Sequence, residues 1–293
     1  MLRELREDHE EFGGEVKALP DTPVEREVLQ EELDFFERNY ADLRPTAVDA
    51  AAYYRRFATS LRDGGNNHRH AVTRALFDGL LHHPGRRVLD CACGVGQFAI
   101  WLALRGKEVR GFDISANAVA VARQSARLSG VESAVRFDVM DARDLGYGDG
   151  EFDLLTGQDC LHHLIKYPGA VRELARVLRP GGAGLFVEPL AWNPLVNLLR
   201  AGDIGLHGRV GEHILTRGDV RLLECEFGRL ELSRHVVLSV FTRLLASTWR
   251  PLGGWRRWAC ITLNELDETL LTSFPASARF SAMAYVKLLK PPG

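Results

Sequence analysis

Apolar residues recur at helical spacing from Val28 through Leu29, Leu33, Phe36, Tyr40 and Leu43, which predicts a first helix. Its entry, Thr22-Pro23-Val24-Glu25, reads as a capping box with Thr22 as N-cap and Pro23 in the first turn. A second helix begins at Thr46-Ala47-Val48-Asp49, carries Tyr53, Tyr54, Phe57 and Leu61, and stops at Asp63-Gly64-Gly65-Asn66-Asn67. A third runs from about 69 to 83 and ends at Pro84-Gly85. From residue 86 the pattern changes to short apolar runs that alternate with helical stretches. Strands are expected at Val88-Leu89, at 108–112, near 133–138, at 152–156 and at 183–188, with helices between them. Two more alternating runs, 230–240 and 280–288, complete a set of seven strands. This is the signature of an α/β chain, a Rossmann-like doubly wound and mostly parallel seven-stranded sheet with helices on both faces.

Two stretches break the alternation. Residues 189–215, with two prolines, four glycines, His207 and His213, and residues 241–278, with Trp249, Trp255 and Trp258 beside Arg250, Arg256 and Arg257, read as lid insertions. Residues 1–66 form an N-terminal helical extension, its first stretch to about residue 20 polar and loosely ordered, and its two helices a cap over the pocket. Residues 67–293 form the core. At 293 residues, 46% hydrophobic and 26% charged, the composition is that of an ordinary globular chain. The formal charge of -2 offers no footprint for nucleic acid. Five cysteines without a paired C-x-x-C indicate neither a disulfide framework nor a metal site. No apolar run approaches the roughly 18 residues of a membrane span, and the charged start lacks a signal core, so a cytoplasmic location is expected.

The chemistry concentrates at Asp90-Cys91-Ala92-Cys93-Gly94-Val95-Gly96, a small-residue turn between a strand and a helix. Ala92, Gly94 and Gly96 let a ligand approach the backbone, and a carboxylate at Asp90 repels phosphate but accepts from an ammonium group. The turn resembles the D-x-[GA]-C-G-x-G element of class I S-adenosylmethionine-dependent methyltransferases, in the variant of the ubiquinone/menaquinone-biosynthesis branch and its natural-product relatives. The resemblance implies S-adenosyl-L-methionine as cofactor and S-adenosyl-L-homocysteine as product. It further implies that Asp90 orients the methionine end and that Asp113, with Ile114 beside it, grips the ribose hydroxyls. Asp141 and Ala142 fit the adenine site, and Gln158 lies near the methionine portion. Tyr53 is the aromatic that either closes this site or packs its helix on the sheet. Asp159 reads as structural.

The implied reaction is in-line methyl displacement onto a small-molecule acceptor, plausible in specialised metabolism, in which the protein chiefly aligns the reactants. A base is needed only for an acceptor that arrives protonated. His163 is the first candidate, then His162 and Glu188, all after strand ends; shaping of the pocket floor is the competing reading of the histidines. The Trp/Arg cluster admits an aromatic lid, a membrane-surface patch or a homodimer contact, against ordinary core packing as the default. An NAD(P)-dependent oxidoreductase would share Asp113 but wants G-x-G-x-x-G, where this chain has Ala92-x-Gly94-x-Gly96 followed by Gln97-Phe98-Ala99. A non-catalytic S-adenosylmethionine-binding regulator is the third reading, since fold does not fix function.

Overall fold

Strand residues alternate between two cores. Val88, Val109 and Leu154 join one apolar cluster, while Leu89, Phe112 and Leu155 join the other. A sheet buried on both faces produces this division. The computed structural model describes residues 23–65, 69–201, 213–242 and 254–293. The polar stretch before Thr22, and Thr22, Asn66, Asn67, His207, Trp249 and Arg250 named above, lie outside them.

The strands are β1 (Arg87–Cys91), β2 (Glu108–Asp113), β3 (Val135–Val139), β4 (Phe152–Gln158), β5 (Leu178–Pro189), β6 (Arg229–His235) and β7 (Met283–Leu289). They form one seven-stranded sheet in the order β3-β2-β1-β4-β5-β7-β6. The first five pair in parallel, and β7 inserts antiparallel between β5 and β6. Strand order reverses between β1 and β4, which opens a crevice at their carboxyl ends.

Helices α1 (Pro23–Tyr40), α2 (Ala50–Ala58) and α3 (His70–His82) precede β1. After it come α4 (Gln97–Leu104), α5 (Ala116–Leu128), α6 (Leu161–Leu164), α7 (Pro168–Val177), α8 (Pro194–Ala201), α9 (Arg217–Phe227) and α10 (Gly254–Ser273). Helix α2 starts four residues later than the sequence suggests, because Asp49, not Thr46, caps it: Asp49 Oδ1 accepts from the Ala51 and Ala52 amides, both at 2.9 Å. The preceding linker is tied to α5 through Thr46 N to Ser125 Oγ (3.2 Å) and Val48 N to Ser129 Oγ (3.0 Å). The alternating run at 230–240 is strand only to His235; Val236 turns into the left-handed region at φ 61°, and a 3-10 turn follows at Ser239–Phe241.

The two N-terminal helices part company. Helix α2 packs on the body through Tyr53, which stacks on Phe77 of α3 (centroids 6.0 Å apart) and lies 6.2 Å from Trp101 of α4. Trp101 Nε1 donates to the Ala50 carbonyl at 3.1 Å, satisfying a buried indole and anchoring α2. Helix α1 instead crosses the carboxyl edge of the sheet.

Candidate active site

Beneath α1 lies a cavity of about 200 Å³ at the crevice. Its floor comes from strand ends: Ala92 after β1, Phe112, Asp113 and Ile114 at the end of β2, Met140, Asp141 and Ala142 after β3, and Gln158, Asp159 and Cys160 after β4. His163, Leu164 and Tyr167 form one wall. Leu29, Glu32, Leu33, Phe36 and Tyr40 of α1 form the roof. Seven residues singled out from the sequence, Ala92, Asp113, Ile114, Asp141, Ala142, Gln158 and His163, therefore border one space.

The turn after β1 adopts the backbone its small residues permit. Ala92, Gly94 and Gly96 have φ of 49°, 52° and 73°. At Gly96, the residue before α4, a Cβ would stand 2.6 Å from Phe137 and 2.7 Å from Ala122, so glycine is demanded by conformation and by packing alike. Asp113 closes the turn: its Oδ2 accepts from Gly94 N at 2.8 Å and its Oδ1 from Ser115 N at 3.0 Å. Burial pushes its carboxyl up, although those backbone donors oppose the rise.

Asp90 lies just behind the floor, 2% exposed. Its Oδ2 has no hydrogen-bond partner among the described residues. Burial, with the nearby Asp113 carboxylate adding to it, pushes its carboxyl up to about 8. Tyr53 reaches the same corner, where Asp90 and the Gln158 side chain both act on its hydroxyl. Burial is the main reason that the phenol is raised, so it stays protonated and able to donate. Packing of α2 and approach to Asp90 are thus one placement of Tyr53. Asp141 is differently occupied. Arg143 Nε sits 3.0 Å from each of its carboxylate oxygens and Arg143 N donates at 2.9 Å, both side chains being buried.

The three candidate bases separate. Only His163 borders the cavity. Glu188 is fully buried and serves as a cap for α6: its Oε1 accepts from Cys160 N (2.9 Å) and Leu161 N (2.8 Å). Its Oε2 meets His162 Nδ1 at 2.7 Å. Glu188 and His162 thus face each other and neither borders the cavity, and the Glu188 carboxylate serves the first amides of α6, which is too short to satisfy them itself. Asp159, held at φ 54°, is gripped by Arg69 through two contacts of 2.8 Å.

The described parts of the two expected lids lie away from the cavity. No described residue of 189–215 or 241–278 borders the cavity. Leu190 and Leu215 bridge and are buried. His213 Nε2 meets Asp219 Oδ2 at 2.8 Å, within the Thr216–Asp219 capping box that opens α9. Helix α10 is fastened elsewhere by buried Asp267, whose carboxylate accepts from Val237 N (3.0 Å), Leu238 N (2.6 Å) and Ser239 N (2.9 Å). With Cys260 and Asp267 turned inward, Trp255 and Trp258 come out 67% and 69% exposed, so core packing does not describe them.

The roof supplies what the sequence reading passed over. Glu32 Oε1 lies 3.5 Å from His163 Nδ1, the same carboxylate pairs with Lys166 Nζ, and Tyr167 Oη donates to its Oε2 at 3.2 Å. Burial would raise the Glu32 carboxyl, but His163 and Lys166 outweigh it and hold it at about 2. Phe36 meets the His163 ring edge-on at 5.8 Å. The signal for Glu32 was a charge inside the apolar stripe Leu29-Leu33-Phe36-Tyr40, one turn after Leu29.

Comparison with known proteins agrees with this arrangement. Residues 89–186 match the family model described as a methyltransferase domain. The chain is 42% identical over 112 residues to the methyltransferase GfsG of Streptomyces halstedii, covering 38% of this chain and 40% of that protein. It is 39% identical over 99 residues to the 27-O-demethylrifamycin SV methyltransferase of Amycolatopsis mediterranei, covering 33% and 36%. The chain thus spans less than half the length of these curated relatives. Geranyl diphosphate C-methyltransferase from Streptomyces coelicolor shares the fold, with a TM-score of 0.54 at 19% identity over 94% of this chain and 100% of that one. Through residues 89–186 the chain is thus similar to methyltransferase domains, and the seven-stranded sheet is built around that stretch.

Proposed function

We propose that the chain binds S-adenosyl-L-methionine in the cavity beneath α1 and transfers its methyl group to a small-molecule acceptor, leaving S-adenosyl-L-homocysteine. The observation that carries this reading is Asp90, a buried carboxyl with an oxygen lacking a partner among the described residues, near a second buried carboxyl at Asp113. A buried carboxylate without a cation is costly, and a ligand that brings positive charge removes the cost. The ligand's ammonium and sulfonium groups fit that need; a pyrophosphate does not. The glycine turn supplies the close backbone approach.

Within that reading Asp90, Tyr53 and Gln158 hold the methionine end, Ala92, Gly94 and Gly96 form the cradle, and Asp113 with Ile114 takes the ribose. Ala142 and Asp141 border the adenine, Asp141 through the loop that its bonds to Arg143 keep rigid. When bound, the cofactor supplies a methyl already activated by positive sulfur. The protein's own work is to align the acceptor, exclude water under the roof of α1 and accept a proton at His163 where the acceptor carries one. The names of the curated relatives, a rifamycin methyltransferase among them, support a small molecule of specialised metabolism as acceptor. Calorimetric titration of the chain with S-adenosyl-L-homocysteine tests the proposal. Saturable binding at one site per chain is expected, with no binding of NAD or NADP; absence of heat and of a thermal shift with S-adenosyl-L-homocysteine would overturn it.

A further inference from the structure

His163 is surrounded from two directions. From α6 and the turn after it come His162, whose ring centroid is 4.2 Å away, Lys166 and Tyr167. From α1 come Phe36 and Glu32, whose Oε1 lies within ion-pair distance of the imidazole at 3.5 Å from Nδ1. Asp159 and Asp141 border the same cavity, but Arg69 and Arg143 respectively engage their carboxylates. His162 is turned to Glu188.

We propose that Glu32 is a positioning residue for His163. Its carboxylate, delivered by the roof helix, draws the imidazole proton to Nδ1 and leaves Nε2 as the proton acceptor for a substrate O–H or N–H.

A neutral imidazole carries one proton, and the partner of one ring nitrogen decides which nitrogen keeps it. Glu32 suits the task because it is ionised and held. Its carboxyl sits at about 2, since His163 and Lys166 overcome the effect of burial. Lys166 and the Tyr167 hydroxyl grip it from the wall. The proton acceptor and the roof are therefore assembled in one act: with α1 undocked, His163 loses its carboxylate. The inference rests on the methyl-transfer reading for the use made of Nε2, and on the geometry alone for the tautomer. In that use the acceptor's lone pair bonds to the methyl carbon and the electron pair of the breaking carbon–sulfur bond stays on sulfur. The acceptor's proton passes to Nε2, giving an imidazolium beside the Glu32 carboxylate.

The test is a 15N-histidine spectrum of the ligand-free chain, with His163→Gln to assign the ring, repeated for Glu32→Gln, Glu32→Asp and Lys166→Met. In the native chain the neutral ring should carry its proton on Nδ1. That preference should be lost in Glu32→Gln, recovered in part by Glu32→Asp and kept in Lys166→Met, which leaves the carboxylate in place. A native ring protonated on Nε2 overturns the proposal, and that measurement decides even if Glu32→Gln does not fold. A native-like spectrum in Glu32→Gln overturns it too, as does an equal loss in Lys166→Met, which would trace the effect to docking of α1. If the native chain fails to bind S-adenosyl-L-homocysteine, the methyl-transfer reading falls while the spectrum still decides the role of Glu32.

Discussion

The floor and the roof of the cavity both carry buried carboxyl groups, and they are balanced in opposite ways. Just behind the floor, Asp90 lies near Asp113 with no cation partner among the described residues, and burial holds Asp90 up at about 8. On the roof, Glu32 has Lys166, His163 and Tyr167 around it and sits at about 2. The floor is short of positive charge until a ligand brings it, whereas the roof is complete without one. If the proposed binding holds, such a division places affinity in the strand ends and leaves closure of the cavity to the protein alone.

The strongest way to break that comparison is to empty the floor. Replacing Asp113 with Ala removes the proposed ribose contact and frees Gly94 N and Ser115 N, which its carboxylate now binds. Charge-assisted hydrogen bonds are worth about 1.5–3 kcal/mol each, so S-adenosyl-L-homocysteine should bind on the order of 100-fold or more weakly. Unchanged affinity by calorimetry would show that the cofactor reading of the floor is wrong.

Asp90 sharpens the comparison through pH. Its carboxyl is protonated in the free chain below about 8 and must ionise to receive a cation. Affinity for S-adenosyl-L-homocysteine should therefore rise with pH between 6 and 8, by up to about tenfold per unit, and flatten above. Asp90→Asn should bind more weakly and lose this dependence. Stability runs the other way. The folded state keeps a proton that the unfolded chain releases near 4, so ligand-free stability falls from there up to about 8. Asp90→Asn should flatten that decline, as urea unfolding at pH 5 and pH 8 would show.

The floor was legible in the sequence and the roof was not, for a physical reason. Each floor residue is placed by its own strand: β2 ends at Asp113 and β4 at Gln158, and a strand end in a parallel sheet faces the crevice whatever surrounds it. Glu32, by contrast, acquires its role only by docking against His163 and Lys166, more than 130 residues further along the chain, and helical periodicity says nothing of such partners. The surroundings of Glu188 were hidden for a related reason. Strand β5 does bring it to the correct edge, but the uncapped amides of α6 claim its oxygens. Trp255 and Trp258 show the same limit from the other side. Their spacing fits a buried stripe, yet Asp267 turns α10 by binding three backbone amides and leaves the indoles outside.

The smallest effect concerns the latch of the roof. Glu32 has a depressed pKa, so its contribution to docking is fully present above the ordinary carboxylate value of 4.5 and is lost as pH falls toward about 2. Lys166 and Glu32 are 24% and 15% exposed, a partly buried pair for which about 1 kcal/mol is a reasonable scale. Removing the cation in Lys166→Met should raise the pKa of Glu32 and bring the loosening of α1 to higher pH. Hydrogen exchange over residues 29–40, compared between variant and native chain at the same pH to cancel intrinsic rates, should be about fivefold faster in the variant at pH 5. It should converge with the native rate as pH falls below about 2, where neither chain retains the carboxylate. Equal exchange at pH 5 would mean that apolar contacts of Leu29, Leu33 and Phe36 hold the roof without the charge. In that case the contrast between a floor that needs charge and a roof that holds its own would reduce to the floor alone.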